Sequence, residues 1–338
     1  MTVTAATPGE SPASPAAASD GAPPGGPQAK GRRKPKPKRS RAQRLRRDLF
    51  LIGLMLPGVI YFVVFHYGAL FGNMIAFKDY VTFIGVWDSA WVGVDNFTVL
   101  LADPDFWNAA GNTVTIAVLQ LAFFFPAPLA LALLLNSLVG DKIRRFVQSV
   151  VYLPHFISWV IVVALFNQVL GDVGVLNGIL DDNGLSTIDI IGNADAYKPL
   201  VIAQVIWKEA GWGTIIFLAA LANVDEQLYE ASAIDGAGWW RRLWHVTLPA
   251  IRPVIVLLLI LRLGDILTVG FEQFFLQRDT VGPEVGEVLD TFIYWSGIQD
   301  GHFGVAAAAG LMKGVLGVAL IYAANKISHR LGEQGVYR

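Results

Sequence analysis

Six ionisable side chains, Lys208, Glu209, Arg262, Asp265, Glu272 and Lys313, stand inside or at the edges of long apolar stretches. A charge in hydrocarbon is costly and tends to face a bundle interior or an aqueous path. The chemistry open to these groups is therefore pairing, or lining a route for a polar solute. Arg262 and Asp265 are three residues apart, so on a helix they share a face and can pair. A satisfied pair and a path lining are both open to them. Lys208, Glu272 and Lys313 are read as a polar lining of a translocation path. Trp207 and Trp212 flank Lys208, and indole faces suit pyranose rings as well as they suit packing or an interfacial position.

Covalent and metal chemistry finds little support. The chain has no cysteine, which removes disulfides, thiolate metal sites and a cysteine nucleophile. It has no GxxxxGK[ST] loop, and Gly236-Ala237-Gly238 lacks the third glycine and the preceding strand of a dinucleotide fingerprint. Nucleotide binding by these means is excluded. HExxH and GxSxG are absent. Gly171-Asp172 and Gly264-Asp265 are similar in outline to the GxGD element of intramembrane aspartyl proteases, but no glycine stands two residues earlier. A two-carboxylate mechanism also needs both groups buried and facing each other. An intramembrane protease is thus a remote alternative. An ion-coupled secondary carrier is a nearer one, because it would use the intramembrane charges.

The elements that must hold these groups are membrane spans. The chain is 16% charged and 54% hydrophobic, whereas soluble domains are about 25% charged. A helix crosses the bilayer core with about twenty predominantly apolar residues. Six stretches qualify: residues 49–67, 113–138, 146–170, 200–222, 254–275 and 305–327. The predicted class is all-α, a polytopic membrane protein with a six-span domain over residues 48–338. Residues 1–47 are expected to be a disordered tail, rich in Ala, Pro and Gly and then basic. Eleven of the twenty-six Lys and Arg lie in residues 30–47, beside the first span. That placement favours membrane lipid over nucleic acid as the partner of the run. A cleaved signal peptide is not expected, since nearly fifty residues precede the first span. Lys78, Lys198 and Arg278 are the Lys and Arg of one set of loops, while the tails and the loops around 141–145 and 223–252 carry the rest outside the spans. The positive-inside rule then predicts both termini in the cytoplasm.

Residues 223–252 are the most informative loop. Asn223 with Glu226 resembles a capping box, and Leu228, Ala231 and Ile234 recur at helical spacing, predicting a short helix over about 225–235. Gly236 and Gly238 break it, a second short helix is expected over about 239–246, and Pro253 is expected to open the next span. Small residues around Ala231, Ala233 and Ala237 allow close approach by a partner, and Glu230 and Asp235 offer acceptors. Such a unit, tied to spans at both ends, couples a push to their motion. A hairpin lying in the headgroups, with Trp239, Trp240 and Trp244 as anchors, is the other reading of the same pattern.

Glu230-Ala231-Ser232-Ala233-Ile234-Asp235-Gly236-Ala237, followed by Leu248-Pro249, resembles the EAA motif of bacterial ABC importer permeases; Ser232, Trp239 and Trp240, and Val246-Thr247 depart mildly from it. Val92-Gly93-Val94-Asp95-Asn96-Phe97 with Asn112-Thr113, and Leu153-Pro154-His155-Phe156-Ile157-Ser158 with Gly174 and Asn177, resemble the sugar-importer branch. The end of the chain, from Phe271-Glu272-Gln273 through Gly332-Glu333 to Tyr337, is most similar to permeases for polysaccharide fragments. The resemblance implies a type I ABC importer permease fold in the bacterial inner membrane, moving a sugar or oligosaccharide. It implies that Glu230, Ala231, Ala233, Asp235, Gly236, Leu248 and Pro249 couple the spans to an ATPase. It also implies four kinds of partner: a second homologous permease, two ATP-binding subunits, an extracytoplasmic solute-binding protein and the lipid bilayer. ATP and magnesium would belong to the ATPase, leaving this chain without a cofactor and without catalysis of its own.

Overall fold

A computed structural model describes residues 41–138 and 140–330, with side chains from Asp48 onward. Most of the expected tail, and Gly332, Glu333 and Tyr337 at the other end, lie outside the described residues. Arg41–Phe62 is helical, so residues 41–47 belong to a helix and not to the disordered tail expected for them. Arg, Ala, Gln and Leu are strong helix formers, and the last proline of the tail is Pro37.

Contacts divide the chain into Met1–Tyr61 and Phe62–Arg338. In the first unit the helix shows Leu49, Phe50, Leu54 and Ile60 exposed, as a lipid-facing segment requires. Six helical stretches are long and apolar enough to cross a membrane: Asp48–Phe77, Pro104–Ser137, Trp159–Asp182, Ala194–Ala222, Trp239–Gly264 and Phe303–Arg330. In chain order they are the first to sixth spans. Helix dominates because a backbone in lipid must satisfy its own hydrogen bonds. A single two-residue pairing, β1 (Lys78–Asp79) with β2 (Ala90–Trp91), is the only sheet among the described residues.

In the second unit, small residues let the fourth span approach its neighbours. A Cβ on Gly211 would meet the Val151 carbonyl oxygen at 2.1 Å, and one on Gly213 would meet the Pro128 ring at 2.9 Å. Thr214 Oγ1 donates to the Pro128 carbonyl at 3.1 Å. This is the close, small-residue packing by which membrane helices associate without a hydrophobic driving force. Ala132, Phe217, Leu221 and Ile251 bury together at one end of these helices. Ile116, Tyr197, Val201, Phe274 and Val288 form a separate buried cluster.

Two spans are less regular than the sequence predicts. The fifth was expected to run to Phe275, but its helix stops at Gly264, and a new helix, Phe271–Val281, begins after a break. Gly270, with φ of 122°, supplies a backbone conformation there that L side chains rarely adopt. The third was expected over residues 146–170. Its main helix begins only at Trp159, capped by Ser158, while residues up to Tyr152 belong to a separate basic amphipathic helix, Asp141–Tyr152. Pro154 removes the amide that a continuous helix would need.

Several residues of the sugar-branch motifs hold the loops beside the first, second and third spans. Asn96 donates to the carbonyls of Ala76 and Lys78, both at 3.0 Å. Asn112 donates to Glu284 and Glu287 carbonyls, and Thr113 Oγ1 accepts the Leu289 amide at 2.8 Å. Asn177 closes the loop after the third span by exchanging hydrogen bonds with Ile188, at 2.9 and 2.8 Å.

Candidate functional site

The loop between the fourth and fifth spans is built by local capping. Its helix is Glu226–Ile234, and the N-cap is Asp225, whose carboxylate accepts the Gln227 amide at 2.9 Å. Asn223, expected to open a capping box, instead closes the fourth span by donating to the Ala219 carbonyl at 2.7 Å. At the other end Ala237 N donates to Ser232 O and Gly236 N to Ala233 O, the two bonds of a Schellman motif. That motif requires a left-handed residue, and Gly236 has φ of 72°. The glycine is therefore a geometric necessity of the turn.

What the loop exposes differs from what its periodicity suggests. Leu228, Ala231 and Ile234 share a face, as predicted, but the described residues do not cover that face: Ile234 is 87% exposed. Glu230, Ala231, Ala233, Asp235 and Gly236 are exposed with it. On the inner side, Tyr229 Oη meets Thr247 Oγ1 at 3.1 Å and Arg242 Nε donates to Ala237 O at 2.9 Å. These contacts fasten the loop to the first turns of the fifth span.

The second short helix expected over about 239–246 does not stand alone. Helix runs from Trp239 to Gly264 as one span, and Pro253 lies inside it. A π-helical turn, Leu243–Thr247, precedes Pro249, and the wider turn accommodates the strain a proline brings. Leu248 packs against the buried Ala132, Phe217, Leu221 and Ile251 cluster. Pro249 is exposed. The exposed tip thus joins the fifth span without a flexible joint beyond residues 235–238.

The intramembrane charges are distributed among four places. Lys208 is 5% exposed; its Nζ donates to the His155 carbonyl at 2.9 Å and lies 3.1 Å from Glu209. Glu209 Oε2 is 2.7 Å from His155 Nδ1, and the His155 ring stacks on Trp212 with centroids 4.5 Å apart. Trp212 follows Lys208 by one helical turn, so the two share this cluster. Trp207 does not: it meets Phe166 in an apolar recess with Leu165, Val169 and Leu170.

Arg262 and Asp265 do not pair directly. The helix ends at Gly264, leaving Asp265 as its cap, and Arg262 donates instead to Gln120 Oε1, over the Phe124 ring. Gln120 in turn donates to the Val269 carbonyl at 3.0 Å, tying the break in the fifth span to the second. Beyond the break, Gln273 donates to the Gln204 side-chain oxygen at 2.8 Å and Gln277 donates to it at 3.0 Å. Lys313 pairs with Asp290. Glu272 is exposed in the first turn of Phe271–Val281 and joins none of these groups. Outside the spans, burial pushes the Glu287 carboxyl up, and the Arg278 guanidinium 3.2 Å away opposes that shift.

Sequence reasoning missed His155, Gln120, Asp290 and the three buried glutamines. Their partners lie on distant elements, and an uncharged glutamine in an apolar stretch gives no signal of what it will meet. His155 stands in the Leu153 to Ser158 motif, which carries no signal of its contact with Glu209.

Residues 125–332 match the family described as the binding-protein-dependent transport system inner membrane component. The chain belongs to this family. It is therefore a multi-pass membrane protein and a transport permease, and the match includes the whole loop that carries Glu230 to Pro249. Among relatives of the permease, protein LplB of Bacillus subtilis (strain 168) is 45% identical over 294 residues, 87% of this chain and 92% of the relative. The polygalacturonan/rhamnogalacturonan transport system permease protein YteP of the same organism is 45% identical over 289 residues, 85% of this chain and 90% of the relative. Among solved structures, a chain of a bacterial alginate ABC transporter, crystallised with its alginate pentasaccharide-bound periplasmic protein, superposes with a TM-score of 0.80. It is 37% identical, over 87% of this permease and 99% of that chain.

Proposed function

We propose that this permease is the membrane subunit of an ATP-driven importer that moves an oligosaccharide delivered by an extracytoplasmic binding protein. The observation that carries the reading is the exposed tip, Glu230 to Gly236, held by a Schellman turn and continuous with the fifth span. Small, exposed residues at the tip favour close approach by an ATPase surface. The stiff connection favours transmission of its movement.

In this account a second homologous permease completes the pathway, and two ATPase subunits hold the ATP and magnesium. This chain contributes no catalytic group. Both termini lie in the cytoplasm, which places the basic helix Asp141–Tyr152 and the tip on the ATPase side. ATP-driven closure pushes the tip and favours an outward-open arrangement; hydrolysis relaxes it and releases the solute inward. Alternating access then follows from the differential affinity of the partners for the two states. A saccharide cargo is supported by the relatives, two of which are named for polygalacturonan/rhamnogalacturonan and alginate transport. Glu209, His155 and Trp212 supply polar groups and an indole face in mid-span, a composition that suits a sugar. Reconstituted uptake tests the reading: import should require the ATPase subunits and ATP. Import that persists in vesicles without any ATPase subunit contradicts it.

A further inference from the structure

Behind the coupling tip lies a cavity of about 260 Å³ between the end of the second span and the start of the fifth. Asn136, Ser137, Tyr229, Trp239, Arg242 and Thr247 are among the residues lining it. Arg242 is half-buried, and its Nε is engaged by the Ala237 carbonyl. Among the described residues no carboxylate stands within ion-pair distance of its guanidinium. A partly desolvated cation without a counter-ion is costly, and an anion in the cavity would offset that cost. The Asn136 side-chain amide provides a further donor at the wall.

The depth of the cavity indicates where that anion comes from. Ser137 ends the helix of the second span, and Trp239, Trp240 and Trp244 are 49%, 67% and 63% exposed around the start of the fifth. Indoles in such a belt mark the headgroup level of a membrane. Lys142, Arg144 and Arg145 follow within the next helix, Asp141–Tyr152, and add positive potential on the same side. We propose that this cavity binds a phosphate group, either that of an anionic phospholipid or free phosphate. The bound group would bridge Arg242 to the end of the second span and so stiffen the second half of the coupling loop.

The test is native mass spectrometry of the full chain, titrated with phosphatidylglycerol or phosphatidylcholine of the same acyl chains. The wild type should retain one phosphatidylglycerol with a preference of about tenfold or more. Arg242→Gln should remove most of that preference, and Asn136→Leu, which leaves the Arg242–Ala237 bond intact, should reduce it. Lys142→Gln with Arg144→Gln and Arg145→Gln should leave the tightly held lipid in place. Displacement of that lipid by millimolar inorganic phosphate would assign the free anion as an occupant; retention would assign the headgroup. Equal retention of the two lipids by the wild type, with no binding of inorganic phosphate, overturns the proposal. So does phosphatidylglycerol binding by Arg242→Gln that matches the wild type.

Discussion

The fourth span carries one polar region at its middle and leads into another at its end. In the middle, Lys208, Glu209 and His155 satisfy one another inside the chain, and the Trp212 ring covers the histidine. Beyond the end, Glu230, Asp235 and Ile234 stand exposed, and the side chains the loop does engage, Tyr229 and Arg242, are those that hold its own shape. The first region is finished within this chain, whereas the second leaves its surface uncovered by the described residues, where the proposed function places an ATPase. Damage to the first should appear as lost stability or altered solute handling. Damage to the second should leave the protein intact and break its communication.

The largest expected effect tests the scaffold common to both regions. Gly211→Val places a side chain where the Val151 carbonyl oxygen stands 2.1 Å from an added Cβ. Overpacking against a backbone oxygen this close costs upward of about 3 kcal/mol, so the variant should be depleted from the membrane fraction on immunoblots. Wild-type accumulation would show that the fourth span does not depend on this close approach.

Next in size is the mid-span cluster. Glu209→Gln leaves Lys208 buried without its carboxylate, and breaking such a pair costs roughly 3 kcal/mol. Lys208→Met with Glu209→Gln removes both charges and should recover part of the loss, read as a thermal midpoint in detergent. If the double variant is as unstable as the sum of the two singles, the cluster is not an internally satisfied unit. The smallest effect concerns Arg262. Gln120→Leu should cost roughly 1–2 kcal/mol, because it removes the acceptor of a charged donor, while Asp265→Asn should be nearly neutral. The reverse ranking in the same thermal assay would restore the direct Arg262–Asp265 pair suggested by spacing.

Legibility in the sequence divides along the same line. Six apolar stretches and the Gly236 turn are local properties, read from composition and from one residue whose φ only glycine adopts readily. The tip motif is local too, since Glu230 through Gly236 follow one another in a single helix and its closing turn. The mid-span cluster is assembled from the fourth span and the Pro154 break, so Lys208 and Trp212 were visible as candidates but His155 as their partner was not. Arg262 shows the hazard of spacing arguments near a helix end. The i, i+3 relation holds only while the helix continues, and here it ends at Gly264. Asn223 shows the same at a helix start: it closes the fourth span, and Asp225 two residues on opens the next helix.

The central claim, that the tip transmits ATPase movement to the spans, is tested most directly by ATP hydrolysis of the reconstituted transporter with and without its solute-loaded binding protein. Gly236→Trp and Glu230→Lys should remain in the membrane at wild-type levels yet lose stimulation of hydrolysis. Gly236→Asn should keep most of it, because asparagine tolerates the left-handed conformation of the turn. Full stimulation in both Gly236→Trp and Glu230→Lys would contradict the account.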